Sequence, residues 1–374
     1  MNTNFFNDQL QGLLDKVQDQ AARAMDYICD SKVMLVGGNR EQTSVIVEQD
    51  RGVPTQEFQA NDLAFEQICQ GLKIDIRTGR HLRATTPDAF HRLLGEQLHH
   101  HDRPKLLRTL DQGDGRSPIL RAVLSDRFKT FDHVDMLQTT LPQLRDSEAR
   151  WEVVRGDITE RAMHITLKSL VHTGEPAVGD TMALGLRLRN SETGAGSVEV
   201  AQLIWTLACL NGMQTNNRNR WAHLTSARSD GDTWAILTDQ AKDADNQALA
   251  LKLRDIVGNY ASRESFNEVL ENMAQAHQDG VVNAEAAVQA IGKQFVQVTK
   301  KDTSLILQGL IDTMGQAGYQ GRPVTRATLV NAVTAVAHKK DPDDKPAWEK
   351  LGGQILTMAP GSWRRIAEAE LIAA

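Results

Sequence analysis

Aromatic residues make up only 5% of the 374 positions, cysteines number three, and no run of about 18 apolar residues occurs. Each shortage excludes something. Without a long apolar run, a membrane-spanning helix is not expected. Cys29, Cys69 and Cys209 lie far apart with no CxxC pair, so they read as reduced structural thiols of a cytoplasmic protein. The first residues, MNTNFFNDQ, hold neither a basic stretch nor an apolar one and do not read as a secretory signal. Familiar catalytic signatures are missing as well. There is no GxxxxGK(S/T) phosphate loop, no HExxH, no GxSxG and no GxGxxG after a strand. An ATP-dependent recombinase or helicase needs the phosphate loop, because its backbone amides and lysine hold the triphosphate. That class is therefore disfavoured, and no cofactor and no metal are expected.

What is present allows a substantial core. The hydrophobic share is 41%, and the length fits two or three domains. A formal net charge of −6 hides a segregation. Between Lys73 and Lys129, twelve lysines and arginines stand against seven acids, with five histidines besides. Arg218, Arg220 and Arg228 follow in a stretch without acids, whereas residues 229–285 are acid-rich. Such asymmetry suits a localised site for an anionic ligand on an acidic body, although ordinary charge fluctuation gives the same picture.

The pattern of apolar residues predicts three parts. Residues 1–112 read as an N-terminal α+β accessory segment. It begins with a helical stripe over 6–29, followed by a strand at 33–39 and its partner at 43–48. Asn61 is placed to cap a helix, and Pro87 opens another. Residues 105–117 read as a loop-rich exit. Residues 113–238 read as a central antiparallel sheet with packed helices. Its strands are expected at 120–124, 151–155, 161–168, 180–189 and 197–209, with Gly156-Asp157 as a turn and residues 190–196 as a glycine-bearing one. Short connections between strands favour an α+β fold over a doubly wound one. Residues 239–374 read as a helical C-terminal domain, with Asn283 and Thr325 as caps.

Several polar constellations invite chemistry and also have a plainer reading. His99, His100 and His101 cannot converge on one metal ion from a helix, where neighbours point about 100° apart, and a solvated helix end is the plainer reading. Cys209, before Asn211-Gly212, could be a nucleophile with His223 as base, yet it ends a strongly apolar strand. Ser125, Asp126, Asp132 and His133 could serve a hydrolytic site, but Asp132 is equally placed to cap the helix that follows. The basic residues leave a clearer signal. Arg121, Arg127 and Lys129 flank Phe128 and Phe131. Arg187 and Arg189 share one face of a strand opposite Leu184, Leu186 and Leu188, and Arg218 and Arg220 adjoin Trp221. Guanidinium groups make bidentate contacts to phosphate oxygens, and aromatic rings stack on unpaired bases. Ion pairing with Asp126, Glu192 and Glu199 is the competing account.

Three motifs, SPILRAVLSDRFKTFDHVDML at 117–137, RNSETGAGS at 189–197 and ACLNGM at 208–213, resemble one family. It is the phage/plasmid-like family grouped as domain of unknown function 932. The likeness extends to LVNAVT at 329–334 and GGQIL at 352–356, and so covers most of the chain from about Gly71 onward. It implies a habitat on phages, plasmids and integrated elements rather than a reaction. With the absent phosphate loop, it points to an ATP-independent protein that binds and anneals single-stranded DNA in recombination, similar in architecture to phage annealing proteins. The expected backbone contacts are Arg121, Arg127, Lys129, Arg187, Arg189, Arg218 and Arg220, with Trp221 stacking. A homo-oligomeric ring or filament, a host protein partner and no membrane association go with that expectation. Two rivals stand beside it. One is an enzyme built on Ser125, Asp126, Asp132, His133, Asn211 and His223; the other is an anti-defence module that binds a host complex.

Overall fold

The computed structural model describes residues 8–48, 55–100, 103–207, 211–223, 238–316 and 319–370. Helix α1 (Asp8–Arg23) buries Leu10, Leu13 and Val17. The helical stripe expected over 6–29 ends there, because Ala24–Cys29 is drawn out as strand β1, which pairs antiparallel with Lys105–Leu110. Strands β2 (Met34–Gly38), β3 (Thr43–Val47) and β4 (Gln56–Ala60) form a meander. Next come α2 (Asp62–Gly71), α3 (Ile76–Thr85), α4 (Pro87–His99), β5 (Lys105–Leu110) and β6 (Ile119–Ser125). The first sheet runs β1-β5-β6-β4-β3-β2, antiparallel except for the β4–β6 pair. Its core gathers Val45, Val47, Phe58, Leu107 and Leu120 of the strands against Phe65, Phe90 and Leu94 of the helices. On α4 the buried residues Phe90, Leu94 and Leu98 recur every four positions, the stripe that fastens a helix to a sheet.

Helix α5 (His133–Arg145) leads into the second sheet, β7 (Trp151–Ile158), β8 (Met163–Gly174), β9 (Met182–Asn190), β10 (Val198–Thr206) and β11 (Asn211–Trp221). These strands are antiparallel in sequence order. Helices α6 (Asp239–Tyr260), α7 (Arg263–Ala276), α8 (Ala284–Gln294), α9 (Lys300–Met314), α10 (Arg326–Ala335), α11 (Lys345–Leu356) and α12 (Pro360–Ala367) complete the chain. The α+β class, the antiparallel strand-rich middle and the helical C-terminal region are as the sequence led one to expect. Asn61, Asn283 and Thr325 accept from the backbone N–H three residues on, at 2.8, 3.0 and 3.4 Å, as capping requires.

Several expected boundaries move. The stretch 105–117 holds β5, and β6 joins the first sheet, so a border near Gln112 would cut that sheet in two. The second hydrophobic core is continuous from α1 through the second sheet to α12, so no separate core begins near Asp239. Gly156 and Asp157 lie within β7, and the turn closes at Thr159 N–H to Ala162 O, 2.9 Å. Asn211 and Gly212 open β11, beyond the last strand expected.

Candidate nucleic-acid interface

Cross-strand partners in an antiparallel sheet share a face. In the second sheet one row across the strands reads Asp157, His164, Arg189, Glu199 and Arg220, and the next reads Arg155, Thr166, Arg187, Ala201 and Arg218. All five arginines therefore stand on one face. The opposite face carries Ile165, Leu167, Leu186, Leu188 and Val200 in the main core. Alternation along β9, leucines one way and arginines the other, produces this division.

The arginines differ in what surrounds them. Arg187 is 2% exposed; its guanidinium bonds Glu199 at 3.0 Å and also reaches Glu349 of α11 and Gln214 of β11. Glu199 additionally pairs with Arg218 and lies 3.7 Å from Arg220, whose Nε donates to Ser197 Oγ at 2.8 Å. Burial raises the Glu199 carboxyl, but Arg187 and Arg218 outweigh it, and the group stays below the usual carboxylate range. Arg155 pairs with Asp157, and His164 Nε2 meets Asp343 Oδ1 at 2.8 Å. Five guanidinium groups thus face four carboxylates, Asp157, Glu199, Asp343 and Glu349. Arg189 is the odd one. It is half-buried, and its side chain forms no hydrogen bond or ion pair with another described residue. Burial lowers its affinity for its proton; Glu199 and Asp343 oppose that, and Arg187 and Arg220 add to it. Its guanidinium lies against Gly196, where a Cβ would come within 2.1 Å of Nη1.

A second buried network joins the two sheets. Arg108, 1% exposed, donates to Asp26 at 3.1 Å, to both oxygens of Asp132 at 2.7 and 3.0 Å, and to the Glu192 carbonyl at 2.7 Å. Arg121 donates to Glu192 Oε1 at 2.6 Å, and the His133 N–H donates to Glu192 Oε2 at 3.0 Å. Burial would raise the Glu192 carboxyl, but His133, Arg121 and Arg108 together hold it at about 2. Burial also pushes His133 down to about 4, so its ring is neutral. Asn190 bridges the histidines, with Nδ2 3.2 Å from His133 Nδ1 and Oδ1 3.1 Å from His223 Nε2. Asp135 accepts from the Asp132 N–H at 2.7 Å, which fixes the start of α5. Apart from Arg121 Nε and Nη2, which are buried without a hydrogen-bond partner, these groups bond one another, so the tip of the β9–β10 hairpin is locked onto β5 and β6.

The expected interface is corrected accordingly. Arg121 and Arg187 are buried in ion pairs and present nothing to a phosphate backbone. Lys129 pairs with Asp245 of α6, and Arg127 is half-buried in the β6–α5 connection. Trp221 lies opposite Val198 on the leucine face and packs against the core, away from the arginines. Phe128 and Phe131 are buried, and Phe128 stacks on His223 with centroids 4.9 Å apart. Arg189, Arg218 and Arg220 do come together, and Arg155 joins them. It escaped notice because Gly156-Asp157 looked like a turn; an Arg at position i with an Asp at i+2 in a continuing strand was the available signal.

The groups proposed for an enzyme divide. Asp132, His133 and His223 belong to the inter-sheet network. Ser125 and Asp126 bond each other at 3.2 Å, and Asn211 meets His338 at 2.7 Å. Cys209, Arg228 and His101 lie outside the described residues. Among the described residues no three His, Cys, Asp or Glu side chains could hold a metal ion, and no helix is long and apolar enough to cross a membrane. No family model, no curated protein and no solved structure matches the chain.

Proposed function

We propose that the chain binds single-stranded nucleic acid along the arginine-bearing face of its second sheet, as an ATP-independent annealing protein of a phage, plasmid or integrated element. Arg189 is the observation that carries this reading. A half-buried guanidinium, set across the strands between His164 and Glu199 yet ion-paired to neither Glu199 nor Asp343, is poised for an external anion. Arg155, Arg218 and Arg220, with side chains 36%, 23% and 52% exposed, extend the cationic track beside it. Phosphate oxygens spaced along a strand suit such a row, because each guanidinium offers a planar pair of donors. The motifs at 117–137, 189–197 and 208–213 are the ground for placing the protein on a mobile element. Oligomeric assembly and action in the cytoplasm belong to the same proposal.

The test is binding of the purified chain to a fluorescent single-stranded oligonucleotide across a salt series. Each phosphate neutralised on a single strand contributes about −0.7 to the slope of log K against log salt. Removing two contacts with Arg189→Ala plus Arg220→Ala should flatten the slope by about 1.4 and leave the fold unchanged. Gly196→Ala should weaken binding too, since its methyl displaces only the flexible end of Arg189. A well-folded chain that shows no affinity at low salt would sink the reading and favour a protein partner.

A further inference from the structure

Each sheet ends in two edge strands, β1 and β2 in the first and β7 and β11 in the second. An edge strand carries main-chain N–H and C=O groups without a neighbour, and folded proteins blunt such rows with helices, prolines, lysines or bulges. Three of these edge strands have a helix lying along them: α4 on β2, α1 on β7 and α11 on β11. At β2 the fit is close, since a Cβ on Gly95 of α4 would lie 3.6 Å from Val36 N. Among the described residues, the one element lying along β1 is β5. The β1 sequence, AMDYIC, holds no proline and no lysine, and its ladder with β5 runs without a bulge. The ladder also shows which groups stay open. The Asp111 N–H donates to the Arg23 carbonyl at 2.9 Å, and Thr109 Oγ1 donates to the Met25 carbonyl at 2.8 Å. The main chain of the odd-numbered residues therefore turns toward β5, and that of Ala24, Asp26 and Ile28 turns outward. There the main chain of Asp26 and Ile28 meets no partner among the described residues. Both faces of the strand are uncovered too, with Met25 52% and Ile28 48% exposed. The one charge, Asp26, is drawn back onto Arg108 at 3.1 Å.

Such a strand complements itself. When it is set antiparallel to the β1 of a second copy, with Asp26 on the two-fold axis, all three outward residues pair. Asp26 faces its own counterpart, and Ala24 faces Ile28 in both directions, so the exposed isoleucine covers the small alanine. On the other face Met25 meets Tyr27 at a position without hydrogen bonds, where side chains approach closest and a thioether packs well on a ring. A register shifted by two residues would set Ile28 against Asp26 instead. We propose that β1 joins the β1 of a second copy in this antiparallel pair, making a two-fold dimer whose continuous sheet takes six strands from each copy. A two-fold pair is closed and adds no third copy. The facing Asp26 carboxylates and the short pairing keep the association modest. The inference rests on β1 alone and is independent of the arginine face.

Size-exclusion light scattering of the full chain, without nucleic acid, tests this over a concentration series. The mass should climb from one copy toward two as the concentration rises to about 100 µM. Ile28→Lys, at an exposed position, should raise the dissociation constant about tenfold, because the two-fold axis counts each lost contact twice. Asp26→Asn should lower it by removing like charges that face each other. Asp26→Cys should form a disulfide dimer under mild oxidation beyond any that wild type forms, since hydrogen-bonded partners stand about 5.5 Å apart at Cα. Leu35→Cys on β2 should not. Circular dichroism checks the fold of each variant, and Ala24→Cys plus Ile28→Cys tests the same register should Asp26→Cys fail to fold. A chain that stays monomeric across the series would overturn the proposal. So would a dimer that Ile28→Lys leaves intact and that the cysteine variants do not trap.

Discussion

Arg187 and Arg189 look alike in the sequence, two residues apart on one face of one strand, yet one is buried in a triple contact and the other is half-open. What separates them is Glu349, 162 positions downstream, which reaches Arg187 from α11. Alternation discloses the face a side chain takes; what covers that face is decided by a helix whose docking no local pattern encodes. The same holds for Arg121, read as a phosphate contact but buried on Glu192. Buried titratable groups also set the response to acid. His133 is neutral in the fold with its pKa pushed to about 4, whereas the unfolded chain takes up the proton near 6.5. Its contribution to stability is thus fully present above pH 6.5 and is lost as pH falls toward 4. Glu192 stays ionised down to about 2 against 4.5 unfolded, so its share is lost between those values. Urea unfolding should show a lower midpoint at pH 4.5 than at 7.5, with His133 accounting for about 3 kcal/mol at most. His91, His172 and His223 are pushed the same way by burial, so His133→Asn should reduce the pH dependence without abolishing it. Equal midpoints at the two pH values would contradict this account.

At the scale of the element, helix starts were the most legible feature. Asn61, Asn283 and Thr325 each supply the oxygen their position promised, because a cap is a contact between near neighbours in the chain. Element type was less legible where pairing overrides local pattern. Residues 24–29 continue the helical stripe of α1, yet β5 draws them into a strand. Likewise residues 211–221, where no strand was expected, become β11 through their pairing with β10. Helix α11 shows how closely an element can be fitted. A Cβ on Gly353 would lie 1.9 Å from the Gln214 carbonyl oxygen in β11, a backbone atom that cannot swing aside. Gly353→Ala should lower the Tm despite the better helix propensity of alanine, since overpacking costs about 1–3 kcal/mol. Gly12→Ala in α1, with open space around it, should raise stability by up to about 1 kcal/mol. A Gly353→Ala chain as stable as Gly12→Ala would show that α11 is not held against β11.

Across the whole molecule, the division expected from composition gives way to two sheets coupled through one hairpin tip. Gln67 donates to the Thr193 carbonyl at 2.8 Å, and Arg108 and Arg121 both bond Glu192. The α+β class was readable because periodicity is local; Glu192 was named as one possible ion-pair partner of the basic residues, but no local pattern assigned it to Arg108 and Arg121 of the other sheet. Removing residues 1–112 would strip α1 from β7 and leave β6 without β4 and β5. A chain of residues 113–374 should therefore lack native-like circular dichroism and a cooperative unfolding transition. A cooperatively folding 113–374 fragment would restore the border near Gln112. The hairpin tip has a consequence in time as well. All strands of the first sheet have been synthesised by Ser125, but Arg121 finds its carboxylate only at Glu192. At ~5–20 residues per second the ribosome needs roughly 3–13 s to cover that interval. Throughout it, Arg121, on the face of β6 opposite the core residue Leu120, has water in place of its carboxylate, so the speed of translation sets the earliest moment at which the two sheets can be joined.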